Sequence, residues 1–478
     1  MAIGRATRRG KVTNLALAAG LILAAIGCAS DAEQKATGTT PPTDATTGTT
    51  GTAPLDARGW AVSYTPGGAD AVGRPKHGTE IMDIVADQGR LFASTSSWED
   101  PTGFPQILRL DAADQAWVVD TSFDQQAGGV PMFSRTNALA ALRFTTDGDG
   151  RPLDDPVTVL VAAVTSRTES DTVLFARDNN GTWTEQRLPT GPGAQPRSLA
   201  VARDSTTGVD RAYVGTKVGI FSGTFDPAVP GRIRWGAAPE PGSTDQKGHR
   251  VMSLVTVGGV LHALAHDDVL ARTDGPDAHW QVAWHDDHVA DTDLCGPTCS
   301  GLRGGTEVPG PRSHQPELLV AEEGVGGRVL RLDPAANYEP TVEARTDVLL
   351  SDKTGQPFAA YTITAYNRFT PLPGPDGATR WATGVQAHAR GAGTGRDGSF
   401  LLIRDVDATY DVVAVDYLAP PAPSDPNRRD LVSVRALAVS PFDPNHVFIG
   451  GFDCNGRPAR DTAWIYRGEL PNRSEEAK

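Results

Sequence analysis

The stretch Val432–Leu470, VSVRALAVSPFDPNHVFIGGFDCNGRPARDTAWIYRGEL, reads as three short strands and two turns: Ser433–Val439, Val447–Phe452 and Ala463–Gly468. The same pattern recurs along most of the chain. A sheet of three or four such strands cannot bury its faces alone, so units of this kind are stable only when stacked against one another. This recurrence limits the fold more than any other feature, because it asks for small antiparallel sheets arranged around an axis.

Each unit reads as an apolar inner strand, a turn, a second strand, a loop, then outer strands ending near Trp or Tyr. The units are Thr79–Asp120, Asn137–Leu188, Arg197–Trp235 and Val251–Trp284, then a fifth with an inner strand near Ser300–Val308. A sixth follows over Ala360–Asp416, and the opening stretch is the seventh. Inner strands start about 45–70 residues apart, enough for a four-stranded blade of roughly 40–50 residues plus loops. The expectation is an all-β, seven-bladed β-propeller. The last unit has three strands, and Gly59–Pro66, GWAVSYTP, supplies a fourth. Pairing the two ends closes the ring and removes exposed sheet edges. Gly 52 and Pro 36 fit such a turn-rich chain.

The ends read differently. Residues 1–12 hold Arg5, Arg8, Arg9 and Lys11, and Leu15–Gly27 is an unbroken apolar run. A membrane-spanning helix needs roughly 20 residues, so a shorter run after basic residues reads as an export signal. The run ends Ala25-Ile26-Gly27-Cys28, which resembles the bacterial lipoprotein box. That resemblance implies a lipidated Cys28 and an exported, membrane-anchored protein on the periplasmic or cell-surface side. Residues 28–58, rich in Thr, Gly and Pro, read as a disordered tether, 59–470 as the propeller and 471–478 as a tail.

The chain has 44 basic and 58 acidic residues. Cutting after residue 27 removes four basic residues and no acid, leaving 40 − 58 = −18. That balance argues against a nucleic-acid partner, whose phosphates need a basic surface. The expected partners are the membrane, through the lipid, and an envelope protein or glycan.

The segments RALAVSPFDPNHVFIGG, RSLAVARDSTTGVDRAYVGT and ARDNNGTWTE resemble BNR-type and sortilin-like propeller repeats. Asp178, Gly181, Thr182 and Trp183 match the residue types of that family's Asp box, with one extra residue before Gly181 and Ala176 in place of its leading Ser. The resemblance implies fold rather than activity. It also raises sialidase chemistry: three arginines on a substrate carboxylate, a Tyr–Glu nucleophile pair and an Asp acid. The family's Arg-Ile-Pro stretch is absent, although Arg135, Arg368, Arg390, Arg435 and Arg457 can reach a central face.

Propeller loops between strands two and three share a face with the links between blades, so ligand-face candidates are Arg435, Arg390 and Glu99. Seven of the ten histidines lie between His249 and His314. Within that stretch His285, His288 and Asp291 are candidate ligands for zinc, set against a solvated acidic loop. Cys295 and Cys299 can form a disulfide in an oxidising compartment, leaving Cys454 free. Asp147-Gly148-Asp149-Gly150 could wrap calcium, but no bidentate Glu sits at an EF-hand offset and a plain Asp/Gly turn is the preferred reading. No motif for an activated serine, a phosphate loop, a dinucleotide or a His-Glu-x-x-His metal site is present. The function expected is a tethered binding or scaffold protein, with a glycan-acting hydrolase or lyase on the propeller axis as the alternative.

Overall fold

The computed structural model describes residues 59–98, 100–167, 171–191, 193–244, 249–287, 301–311, 313–355, 361–366, 368–374, 377–388, 398–416, 431–453 and 462–469. They form a β-propeller. The first blade is the antiparallel ladder Glu80–Asp87, Arg90–Ser96, Gln106–Leu110 and Val118–Ser122. The second is Phe133–Thr146, Pro152–Ser166, Thr172–Arg177 and Trp183–Leu188. The third is Ser198–Arg203, Asp210–Thr216, Gly219–Phe225 and Ile233–Trp235. The fourth is Val251–Val257, Val260–Ala265, Asp268–Thr273 and His279–His285. The fifth is Gly301–Pro309, Pro316–Val325, Arg328–Asp333 and Glu339–Arg345.

The sixth blade has Thr379–His388, Gly398–Arg404 and Tyr410–Asp416, with an inner edge in two pieces, Tyr361–Thr364 and Thr370–Pro373. The sequence YTITAYNRF reads as one strand, but it breaks at Ala365, whose φ is 53°. Gly304 of the fifth blade makes room for that break: a Cβ there would meet Arg368 N at 2.7 Å and Ala365 Cβ at 2.8 Å. The closing blade is Leu431–Val439, His446–Asp453 and Ala463–Glu469, completed by Trp60–Tyr64 from the other end of the chain. Trp60 pairs with Gly468 and Ala61 with Arg467, so the predicted end-to-end pairing is present. A side chain at Gly468 would strike Trp60, since its Cβ would lie 2.3 Å from Cε3.

The core lies between blades, as small stacked sheets require. Each apolar cluster joins two blades consecutive in the chain. One more joins the closing blade to the first, through Phe448, Ala463 and Ile465 against Ile84, Leu91 and Leu108. One helix, Thr346–Thr354, was not expected. It links the fifth and sixth blades, buries Leu350 between them, and ends on Gly355 at φ 67°.

Towards the rim, polar clasps hold neighbouring blades together. An outer-strand or linker carboxylate of one blade accepts an arginine and an aromatic donor from the next. Asp120 accepts Arg177 Nε and Trp183 Nε1, both at 2.8 Å. Glu240 accepts Arg272 Nε at 2.9 Å and Trp280 Nε1 at 2.8 Å. Glu343 accepts Arg404 Nε and the Tyr410 hydroxyl, both at 2.7 Å.

Candidate functional site at the axial mouth

The inner strands all start at one end of the axis, where the links between blades arrive. That end gathers one polar side chain from each blade. Glu80 comes from the first blade and Arg135 from the second. Arg197 and Arg250 precede the inner strands of the third and fourth, and Arg303 lies in that of the fifth. Tyr366 sits in the break of the sixth blade, and Arg435 is in the closing blade.

Glu80 receives Arg435 Nη1 at 2.6 Å and approaches Arg135 Nη2 at 3.2 Å. Burial would raise its pKa, but Arg435, Arg135 and Arg197 together pull it below the usual glutamate value. Two guanidiniums lie over the Tyr366 ring, Arg435 at 4.4 Å and Arg303 at 5.5 Å from its centroid. Arg303 also pairs with Glu323, from the adjacent strand of the fifth blade. The Tyr366 hydroxyl donates to Gln386 Oε1. Burial lifts its pKa to about 12, so at neutral pH it is a hydrogen-bond donor rather than a phenolate.

Arg197 differs from the rest. It is 5% exposed. Among the described residues no carboxylate pairs with its guanidinium, and its Nε has no hydrogen-bond partner. Burial, then the like charges of Arg250, Arg135, Arg435 and Arg303, drive its pKa well below the arginine norm. Arginine gives up its proton only at great cost. A buried cation beside four others is stabilised instead by an anion, and a guanidinium fits a carboxylate in bidentate fashion. Within the cluster, Glu80 pairs with Arg435 and Arg135, and Glu323 with Arg303.

Below Arg197 the channel narrows to a cavity of about 100 Å³ lined by Asp83, Ser253 and Arg368. Arg368 Nη2 crosses it to Asp83 Oδ1 at 2.5 Å. Beyond lies a wider cavity of about 620 Å³, walled by Val85, Leu142, Val201 and Leu437, with Arg143.

At the edge of the mouth, Arg328 holds a carboxyl pair, with Nη2 at 2.5 Å from Glu322 Oε1 and 2.7 Å from Asp286 Oδ2. Burial, then the neighbouring Asp286, push the Glu322 pKa up to about 7. Nearby, His285 is half exposed and its Nδ1 lies 2.7 Å from Asp268 Oδ1, a contact that raises its pKa.

Of the sequence candidates, Arg435 and Arg135 belong to the mouth, and Arg368 to the narrowing beneath it. Cys28, Glu99, His288, Asp291, Cys295, Cys299, Arg390, Cys454 and Arg457 lie outside the described residues. Asp147 is a turn: its Oδ1 accepts Asp149 N and Arg151 N, each at 2.9 Å. Asp178 makes the same turn through Asn180 N and Thr182 N, at 2.9 and 2.8 Å, as the Asp-box resemblance implies. Sequence reasoning missed Arg197, Arg250, Arg303, Glu80 and Tyr366. A signal existed for most of them, a charged residue at or just before the apolar run of successive inner strands, as in RSLAVA, RVMSLV and EIMDIV.

No protein-family model and no curated protein matches the sequence. Among solved structures, the α-L-arabinofuranosidase Arb93A of Fusarium graminearum is 14% identical, covering 87% of this chain and 100% of its own, with TM-score 0.39. A protein of unknown function from Dyadobacter fermentans is 9% identical over 86% of this chain and 100% of its own, with TM-score 0.40. The exo-β-1,3-galactanase of Phanerochaete chrysosporium is 12% identical over 76% and 94%, with TM-score 0.32. Likenesses this distant carry nothing about substrate or reaction.

Proposed function

We propose that the chain is an exported, lipid-tethered propeller of seven blades whose axial mouth captures the carboxylate of an acidic sugar in an envelope or extracellular glycan. The observation that carries this reading is Arg197, a buried guanidinium that forms no salt bridge among the described residues and whose Nε has no hydrogen-bond partner, beside arginines from four other blades. Tyr, Glu and Arg meeting at the axis is the arrangement that favours a glycan-acting hydrolase or lyase over a scaffold protein. In that role the arginines would hold the substrate carboxylate, with Tyr366 and Glu80 beside it. One feature favours capture without turnover: the Tyr366 hydroxyl is committed to Gln386 and resists ionisation. Export rests on the basic residues and apolar run of residues 1–27, and lipidation on the resemblance of Ala25-Ile26-Gly27-Cys28 to the bacterial lipoprotein box.

The test is a panel of sialylated and uronate-containing glycans, with neutral glycans as controls. Released sugars and unsaturated products report turnover, and calorimetry reports binding. Acidic glycans cleaved by the wild type and spared by Arg435→Met support the enzyme. Binding without products supports the capture reading. Absence of both, or equal handling of neutral glycans, sinks the proposal.

A further inference from the structure

The histidine-rich stretch contains a second constellation, separate from the arginines. His266 and Asp267 form the turn between the second and third strands of the fourth blade, and His249 stands just before its inner strand. Asp267 Oδ1 lies 3.4 Å from His266 Nδ1 and 3.6 Å from His249 Nδ1. The three ligand atoms fall within 4.8 Å of one another. Those two O···N separations leave room for an ion about 2.1 Å from the carboxylate and from either imidazole.

The turn is held in place. His266 has φ 59°, in the left-handed region where a non-glycine residue costs free energy. Its carbonyl accepts Leu302 N at 2.6 Å, and the Asp267 carbonyl accepts Asp286 N at 2.8 Å. The strain is therefore maintained by two links to neighbouring segments, and it sets His266 beside His249, their rings stacked at 4.1 Å. Two imidazoles converging on one carboxylate make a donor set for zinc or a similar transition ion, not for calcium.

We infer that His249, His266 and Asp267 form a binding site for a divalent transition-metal ion at the rim of the axial mouth. Arg250 follows His249 directly, and Leu302, bonded to His266, precedes Arg303. An ion there would sit beside the segments that carry Arg250 and Arg303. Loading turns the two rings out of their stack, since one ion cannot lie in both of two near-parallel planes 19° apart. The neighbouring His285 is engaged by Asp268 and takes no part. The site does not depend on the glycan reading.

The experiment uses the full chain, stripped with chelator, titrated with Zn²⁺ by calorimetry and with Co²⁺ by visible absorption at neutral pH. The expected result is one ion per chain and an intense tetrahedral Co²⁺ spectrum. H249Q, D267N and H266N should each weaken binding by roughly tenfold or more, with H279A unchanged. Asparagine keeps the left-handed turn at 266 accessible, and circular dichroism reports folding. If H266N fails to fold, H249Q and D267N decide the matter. No stoichiometric uptake by the wild type, or uptake unaffected by H249Q and D267N, overturns the inference.

Discussion

Replacing Glu343 by Gln should destabilise the propeller far more than removal of a surface charge. The Glu343 carboxylate is 3% exposed and Arg404 is fully buried. It accepts Arg404 Nε and Nη2 at 2.7 and 2.8 Å, Arg331 Nε at 2.7 Å and the Tyr410 hydroxyl at 2.7 Å. Burial alone would raise its pKa, but Arg404 and its other donors hold it below the ordinary glutamate value. Glutamine keeps one acceptor oxygen and turns an amide donor towards guanidinium donors. Arg331 retains Glu317 as a partner, whereas Arg404 is left as a buried cation without a carboxylate. Removing one member of a buried pair costs about 3–5 kcal/mol, and the surviving oxygen places E343Q near the low end. Urea titration followed by tryptophan fluorescence reads this as a lower midpoint at unchanged slope. The double variant E343Q/R404M should recover part of the loss, because it removes the stranded charge. As a control, D149A breaks an exposed pair whose partners are 74% and 70% exposed, and should change stability by less than about 0.5 kcal/mol. An E343Q loss as small as that of D149A would refute the claim that these clasps hold the blades.

Other outcomes follow from the same structure. The raised pKa of Glu322, about 7, means that its stability contribution is fully present below the unfolded value near 4.5. That contribution is lost as pH rises towards 7, a loss of about 3 kcal/mol. E322Q should flatten the dependence of melting temperature on pH between 5 and 8, and an unchanged slope would count against the buried carboxyl pair. Trp60 is 3% exposed in the closing interface, so W60A should cost about 3–5 kcal/mol. G468V, which puts a side chain against Trp60, should act in the same direction, and thermal unfolding of either variant at the wild-type temperature would deny the end-to-end pairing its role.

The blades were legible because a strand buried on both faces announces itself as a short apolar run, as in SLAVAR or VLHALA, bounded by Gly and Asp turns. The pairing of Trp60–Tyr64 with Ala463–Glu469 was legible for a different reason, since a lone aromatic strand at one end met a three-stranded unit at the other. The helix Thr346–Thr354 was missed although Asp347, Lys353 and Gly355 are its end signals, because its apolar content, Val348, Leu349 and Leu350, is one cluster with little periodicity. Most of the mouth was not readable as a site. Arg197 and Arg435 lie in distant repeats, and only closure of the ring brings them under one another's charge. His249, His266 and Asp267 escaped for a similar reason, since a metal search by local spacing looks at His285 and His288, while a blade link and a hairpin turn meet only in the fold.

The central claim is that the buried guanidinium of Arg197 marks a receptor for carboxylates. Its most direct test is calorimetric titration of an acidic monosaccharide, N-acetylneuraminate or galacturonate, against its methyl ester, for wild type and Arg197→Met. Saturable binding of the acid by the wild type, loss of affinity for the ester and a comparable loss in the variant are predicted. Equal affinity for acid and ester, or an R197M protein that binds the acid as the wild type does, would contradict the account.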